Sequence, residues 1–234
     1  MKEKYDLGEI IENLLQVDDY TWGLYALSKD ILKDRIPEEE KLHYIHQAIE
    51  CGKDYAKRIA SINKTKDIDI ITNNLGLKLS FKDNYITGNR ILFASYTPPN
   101  EIEIMLDPID KAINLFLKND PLLIELFNKT SIINTIVGHE IFHYLEDQFE
   151  KEIYTRKEKL LLWNFFGIKN YSTIRTLGEI AAMAFSKELN ELSYSPFILD
   201  ILLYYSYDTS SAEKIYNTVL GISSGRCNGV ENYK

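Results

Sequence analysis

The 234-residue sequence predicts an α+β fold, a small sheet set between two helical stretches. Three observations carry this reading. Amphipathic helical patterns with start and stop signals fill the first 75 positions. Strand-like segments cluster between positions 77 and 106. From Pro108 onward the pattern returns to helix.

Residues 7–33 read as one or two short amphipathic helices, interrupted near Asp18-Asp19. Pro37 opens a stronger helix that runs to about Ile62. Proline suits the first helical position, and Glu38-Glu39-Glu40 suit the positive end of the helix dipole. Residues 67–75 form a short helix stopped by Gly76. Leu77-Lys78-Leu79-Ser80-Phe81 alternates as a half-buried strand does. Residues 90–96 and 101–106 are two more strands around the turn cluster Tyr96-Thr97-Pro98-Pro99-Asn100. Ile102, Ile104 and Leu106 share one face of the last strand. Helices are expected over 108–118, 121–129, 131–150, 155–166, 173–192, 196–207 and 211–220, with Gly221 as a stop and a loose tail after Ser223. There is no internal repeat and no low-complexity linker. The expected organisation is a helical extension over 1–64, a central domain over 65–192, and C-terminal helices and tail over 193–234 packed on that domain.

Hydrophobic residues make up 45% of the chain and charged residues 26%, as in ordinary soluble proteins. The formal net charge of −8 argues against direct nucleic-acid binding, which favours a basic face. Cys51 and Cys227 lie far apart without CxxC spacing and read as free thiols in a reducing compartment. The first residues lack a signal-peptide h-region, and no apolar run approaches the ~20 residues of a membrane span. A cytoplasmic protein without membrane attachment is the expectation.

The chemistry concentrates in His139-Glu140-Ile141-Phe142-His143. Residues four apart lie on one helix face, so both imidazoles can reach one ion. Glu140 sits one position round the helix and can reach a water in an open coordination position without being a ligand. Zinc lowers the pKa of such a water toward ~7, and a carboxylate beside it serves as general base. The chain has only 4 His, and two of them fall at this spacing. The bland alternative is a chance pair on a surface helix. The flanks oppose it: Ile132, Ile133, Ile136, Val137, Phe142, Leu145 and Phe149 make the helix mostly buried, so the pair should face an interior cleft. Thr130 or Ser131 can cap its start.

A catalytic zinc takes a third protein ligand, and no His follows His143, so that ligand is expected to be a carboxylate. Glu146, Asp147 and Glu150 share the helix. Glu146 and Asp147 lie one turn past His143, better placed to steady an imidazole than to reach the ion. Glu179 on a facing helix is the best candidate, because Gly178, Ala181 and Ala182 are small enough for close helix approach. The alternative for Glu179 is an exposed helix carboxylate. His43 and His46, three residues apart, read as solvated or packed. Among 16 Tyr, Tyr144, Tyr171 and Tyr194 are candidates to stabilise an oxyanion. Arg175, one turn before Glu179, suits a substrate carbonyl or carboxylate, or an ion pair with Glu179.

Three stretches resemble the ImmA/IrrE family of zincin-like metallopeptidases: Ile136-Val137-Gly138-His139-Glu140-Ile141-Phe142-His143-Tyr144-Leu145; Glu179-Ile180-Ala181-Ala182-Met183-Ala184-Phe185-Ser186-Lys187-Glu188-Leu189; and Ile70-Ile71-Thr72-Asn73-Asn74-Leu75-Gly76-Leu77-Lys78-Leu79. The second is similar to the family's Glu-x-x-Ala-Asn-x-Phe-Ala helix, with Met183 where Asn is usual. The resemblance implies a zincin-like domain over about 65–192 and Glu179 as the third zinc ligand. It also implies a cytoplasmic peptidase that cuts a specific protein, often a transcriptional repressor.

The expected function is therefore zinc-dependent peptide hydrolysis, with Zn²⁺ on His139, His143 and Glu179 and Glu140 as general base. The helix carrying the histidines should pack on the small sheet. Strand 101–106 is expected to align an extended substrate by strand addition. Two other readings stand beside this one. The chain could be a zinc-bearing regulatory or protein-interaction module with little or no hydrolytic activity, or a hydrolase for a non-peptide amide or ester in a cleft closed at both ends. Residues 1–64 could serve as a partner-docking surface or an inhibitory cover.

Overall fold

Aspartate side chains set the first helices. In the computed structural model, which describes residues 6–83, 86–87, 90–119 and 121–230, Asp6 caps α1 (Leu7–Leu15) and Asp18 caps α2 (Asp19–Leu27). The Asp18 carboxylate accepts from the Thr21 amide at 2.7 Å, so the expected break at Asp18-Asp19 is a cap. α3 (Glu38–Asn63) starts directly after Pro37 with three glutamates in its first turn. α4 (Ile68–Asn74) is capped by Asp67, and Gly76, at φ 68°, turns the chain into β1 (Lys78–Lys82).

The strand region is richer than the sequence suggests. Residues 90–96 divide into β3 (Arg90–Ile91) and β4 (Ala94–Thr97). β3 pairs antiparallel with β2 (Ile86–Thr87) as a separate two-stranded ribbon. The three-stranded sheet has the order β1-β5-β4, with β5 (Glu101–Met105) parallel to β1 and antiparallel to β4. β5 is thus the central strand. Both its edges are taken, which overturns the expectation that 101–106 could pair with a substrate. Ile102 and Ile104 do share the buried face; Leu106 instead opens α5 (Leu106–Asn119).

Helices α6 (Pro121–Leu126) and α7 (Lys129–Gln148) follow. Asn128, rather than Thr130 or Ser131, caps α7: its side chain accepts from the Ser131 amide at 2.9 Å. The helix expected over 155–166 is a single turn, α8 (Tyr154–Lys157), followed by an antiparallel hairpin of β6 (Leu160–Phe165) and β7 (Ile168–Ser172). Phe166 and Gly167 turn it with φ 47° and 84°, the two positive values that a two-residue type I′ turn uses. α9 (Thr176–Leu189), α10 (Ile198–Tyr205) and α11 (Thr209–Val230) complete the order. α11 passes through Gly221 and Ser223, so neither the expected stop nor a loose tail appears before Val230; residues 231–234 lie outside the described residues. Arg226 fastens α11 to α2 through Thr21 Oγ1 at 3.0 Å and Asp18.

The molecule is mixed α and β, mostly helical with small sheets. α7 packs between the β4–β5 side of the sheet and α9, as the sequence leads one to expect. Its crossing with α9 is close: a Cβ on Gly138 would lie 3.0 Å from Ser186 Oγ, which donates to the Thr135 carbonyl at 2.6 Å. α9 is gripped from its other side by α3. A Cβ on Gly52 would stand 2.1 Å from the Ala181 carbonyl oxygen, so only glycine permits that approach. Trp22, Ile45, Phe116, Phe142 and Phe185 belong to one continuous buried core.

Candidate metal centre

Two turns of α7 place His139 and His143 on the face turned toward the first turn of α9, where Glu179 stands. The start of α9 lacks a cap of its own. Asp30, just beyond α2, supplies one, accepting from the Thr176 amide at 3.1 Å and the Thr176 hydroxyl at 2.7 Å. That tie fixes the turn that carries Glu179.

The three expected ligands converge. His139 Nε2 lies 3.0 Å from His143 Nε2 and 3.3 Å from Glu179 Oε2, and His143 Nε2 lies 3.6 Å from Glu179 Oε1. Bonds of about 2.0–2.2 Å in a tetrahedral zinc site separate neighbouring ligand atoms by about 3.3 Å. The three edges bracket that value, so the donor set fits one cation without rebuilding. His139, His143 and Glu179 could hold a metal ion. Among the described residues no other group of three His, Cys, Asp or Glu side chains does so.

The electrostatics fit the same geometry. Burial alone would lower the His143 pKa, but hydrogen bonds and charge from Glu146 and Glu179 outweigh it and raise it to about 10. The Glu179 side chain is 53% exposed; what desolvation its carboxyl feels would raise its pKa, yet the two histidines hold it far below the ordinary range. The carboxylates are placed to stabilise positive charge at the imidazoles, which is what a bound cation supplies.

Glu146 orients His143 as anticipated. It is buried, and its carboxylate lies 2.9 Å from His143 Nδ1. Thr155 donates to the same carboxylate and Arg156 stands 3.5 Å away, so α8 completes its surroundings. Gly178 leaves the room it needs, since a Cβ there would lie 2.9 Å from Glu146 Oε1. Asp147 does not share the task; it pairs with Arg156 at 3.2 Å, and Glu150 is exposed.

Glu140 is buried and lines a cavity of about 410 Å³ together with His139 and Glu179. A second, more polar cavity is lined by His143, Glu146, Thr155, Arg156, Ser172, Thr173 and Arg175. Glu179 lines both, so the centre opens on two sides.

The other sequence candidates sort clearly. His46 is exposed and meets the Tyr20 hydroxyl at 2.8 Å, and His43 is exposed. Tyr144 reaches toward the Leu75 carbonyl, Tyr194 toward the Leu126 carbonyl, and Tyr171 is exposed on β7; none of the three lines either cavity. Glu179 pairs with the histidines and not with Arg175 among the described residues. Burial pushes the free Cys51 thiol up to about 11.

Two cavity residues escaped the sequence reading. Tyr25 on α2 has its phenol raised to about 12 by burial and by the charge of Asp200. Asp200 on α10 is half-buried, and burial lifts its carboxyl to about 7. A signal for Asp200 existed: it is the sole charged residue in Ile198–Tyr205. No helix among the described residues is long and apolar enough to cross a membrane. Comparison with protein-family models, with curated proteins and with solved structures returned no match.

Proposed function

We propose that the protein is a zinc-dependent metallopeptidase with a zincin-like active site, cutting a peptide bond in a specific protein. One observation carries the reading: two imidazoles and the Glu179 carboxylate converge to cation spacing beside the free, buried carboxylate of Glu140. Two nitrogens and one carboxylate oxygen favour Zn²⁺ over the hard cations, which prefer all-oxygen sites. Held by His139, His143 and Glu179, the zinc supplies a Lewis acid that polarises a carbonyl and brings the pKa of a water near 7.

The chain's own groups do the rest. Glu140 takes the proton of the attacking water as the new C–O bond forms. It then delivers that proton to the leaving nitrogen as the C–N bond breaks. Glu146 keeps the His143 ring oriented from behind. An extended peptide has a docking edge in β4: among the described strands the outer edge of β4 is unpaired, and Ala94 lines the Glu140 cavity. The opening on two sides of Glu179 favours a chain passing through over a small amide held in a closed cleft.

The resemblance to ImmA/IrrE metallopeptidases points to a cytoplasmic regulator, such as a transcriptional repressor, as the substrate, bound as a protein and without direct nucleic-acid contact. The test is to incubate zinc-loaded protein, wild type and Glu140→Gln, with regulators encoded beside it. Wild type should cleave one of them, and Glu140→Gln should bind the same zinc without cleaving. If Glu140→Gln retains full biological activity while His139→Ala loses it, the protein is a zinc-bearing interaction module and the peptidase reading is wrong.

A further inference from the structure

We infer that the cavity beside Glu140 receives one side chain of the substrate and that Asp200 selects a basic one, lysine or arginine. The peptidase reading enters only in making the ligand a peptide side chain; the cation preference stands on the cavity itself.

The walls are apolar over most of their area, with Phe93, Ile136, Met183, Phe197, Leu199 and Leu203 among them. Asp200 lines the same cavity. It has no side-chain hydrogen bond or salt bridge among the described residues; the charge of His139 favours its anionic form and that of Glu179 opposes it. A half-buried carboxylate without a partner among apolar walls is a place where a ligand cation can complete the pairing. The same reasoning explains why burial lifts its pKa to about 7.

The other ionisable groups lining the cavity do not satisfy it. Lys29 is exposed and lies over the Tyr25 ring, with Nζ 5.2 Å from the centroid. Glu179 is engaged by the histidines, and His139 faces Glu179 through Nε2. Glu140 adds a further carboxylate, so the lining holds two carboxylates besides Glu179 amid apolar walls. Tyr25 is a neutral phenol. A lysine or arginine side chain matches both properties, with an apolar stem for the walls and a cationic head for the carboxylate. A cavity of about 410 Å³ falls in the range of ~300–1,000 Å³ that accepts small ligand groups.

The test uses two probes of the same shape, N-butylguanidinium and the uncharged N-butylurea. Each is titrated into full-length zinc-loaded protein and followed by NMR chemical shifts. Wild type should bind the cation at least about tenfold more tightly than the urea, Asp200→Asn should lose that preference, and Asp200→Glu should keep it. Equal binding of the two probes by wild type, or an undiminished preference in Asp200→Asn, overturns the assignment. A parallel set of peptides differing only in Arg, Lys, Leu or Glu next to the scissile bond separates the two claims. A guanidinium preference without cleavage of any peptide refutes the peptidase reading and leaves the pocket standing. Cleavage that ignores both the basic residue and Asp200→Asn refutes the pocket and leaves the peptidase standing.

Discussion

The α7–α9 helix pair and the β6–β7 hairpin are neighbours in the chain, yet they are held by opposite means. The helix pair is fixed by tertiary partners: Gly138 against Ser186, Gly178 against Glu146, and Glu146 against His143. The hairpin is held mainly by its own ladder, and beyond Leu160, which is buried in the core, most of its side chains face outward. Phe166 is 91% exposed, and Phe165 and Ile168 are each 66% exposed. Metal-site geometry needs side chains locked by packing and by supporting hydrogen bonds, and only the first region supplies them.

Breaking the helix pair should therefore cost far more than altering the hairpin. Gly52→Val strikes the α3–α9 contact that backs the centre, where even a Cβ would stand 2.1 Å from a carbonyl oxygen. Thermal or urea unfolding should show a loss of about 3 kcal/mol or more. A loss near zero would mean that α3 does not grip α9. Next in size is Glu146→Gln. The fold should survive, but zinc affinity, read by chelator competition, should fall about 10- to 100-fold because His143 loses the carboxylate behind it. Unchanged affinity would remove Glu146 from the centre.

Protonation gives a third contrast. His143 is raised from 6.5 to about 10, so its contribution to the metal-free protein is full below pH 6.5 and disappears as pH rises through about 10. Urea midpoints of chelator-treated protein should drop between pH 6.5 and 10, while zinc affinity climbs over the same window as the competing proton leaves. His143→Gln should flatten both trends. The smallest effect belongs to the hairpin tip. Phe166→Asn replaces an exposed phenylalanine at positive φ with a residue that tolerates it, and stability should change by no more than about 0.5 kcal/mol. A large loss there would show that the hairpin supports the core after all.

The same contrast explains what was legible in the sequence. His139, Glu140 and His143 could be read because a pair of histidines four apart, with Glu directly after the first, shares one helix face, and apolar flanks mark that helix as buried. Glu179 could be read because Gly178, Ala181 and Ala182 mark a close helix contact. The hairpin could not: Leu160 to Phe165 shows no alternation because neither face is fully buried, and Phe166-Gly167 is a turn without the usual Asn or Asp. The central place of β5 depends on parallel pairing with β1, a long-range choice that leaves no local trace. Tyr25 and Asp200 reach the centre from α2 and α10, through packing that residue spacing does not encode.

The most direct measurement is a zinc titration of metal-free, full-length protein, wild type beside Glu179→Ala, with stoichiometry read by metal analysis. Wild type should bind one zinc per chain, and Glu179→Ala, still folded, should bind at least about 100-fold more weakly. Equal affinity in the two proteins, or no zinc bound by wild type, would contradict the convergence of His139, His143 and Glu179 on one cation.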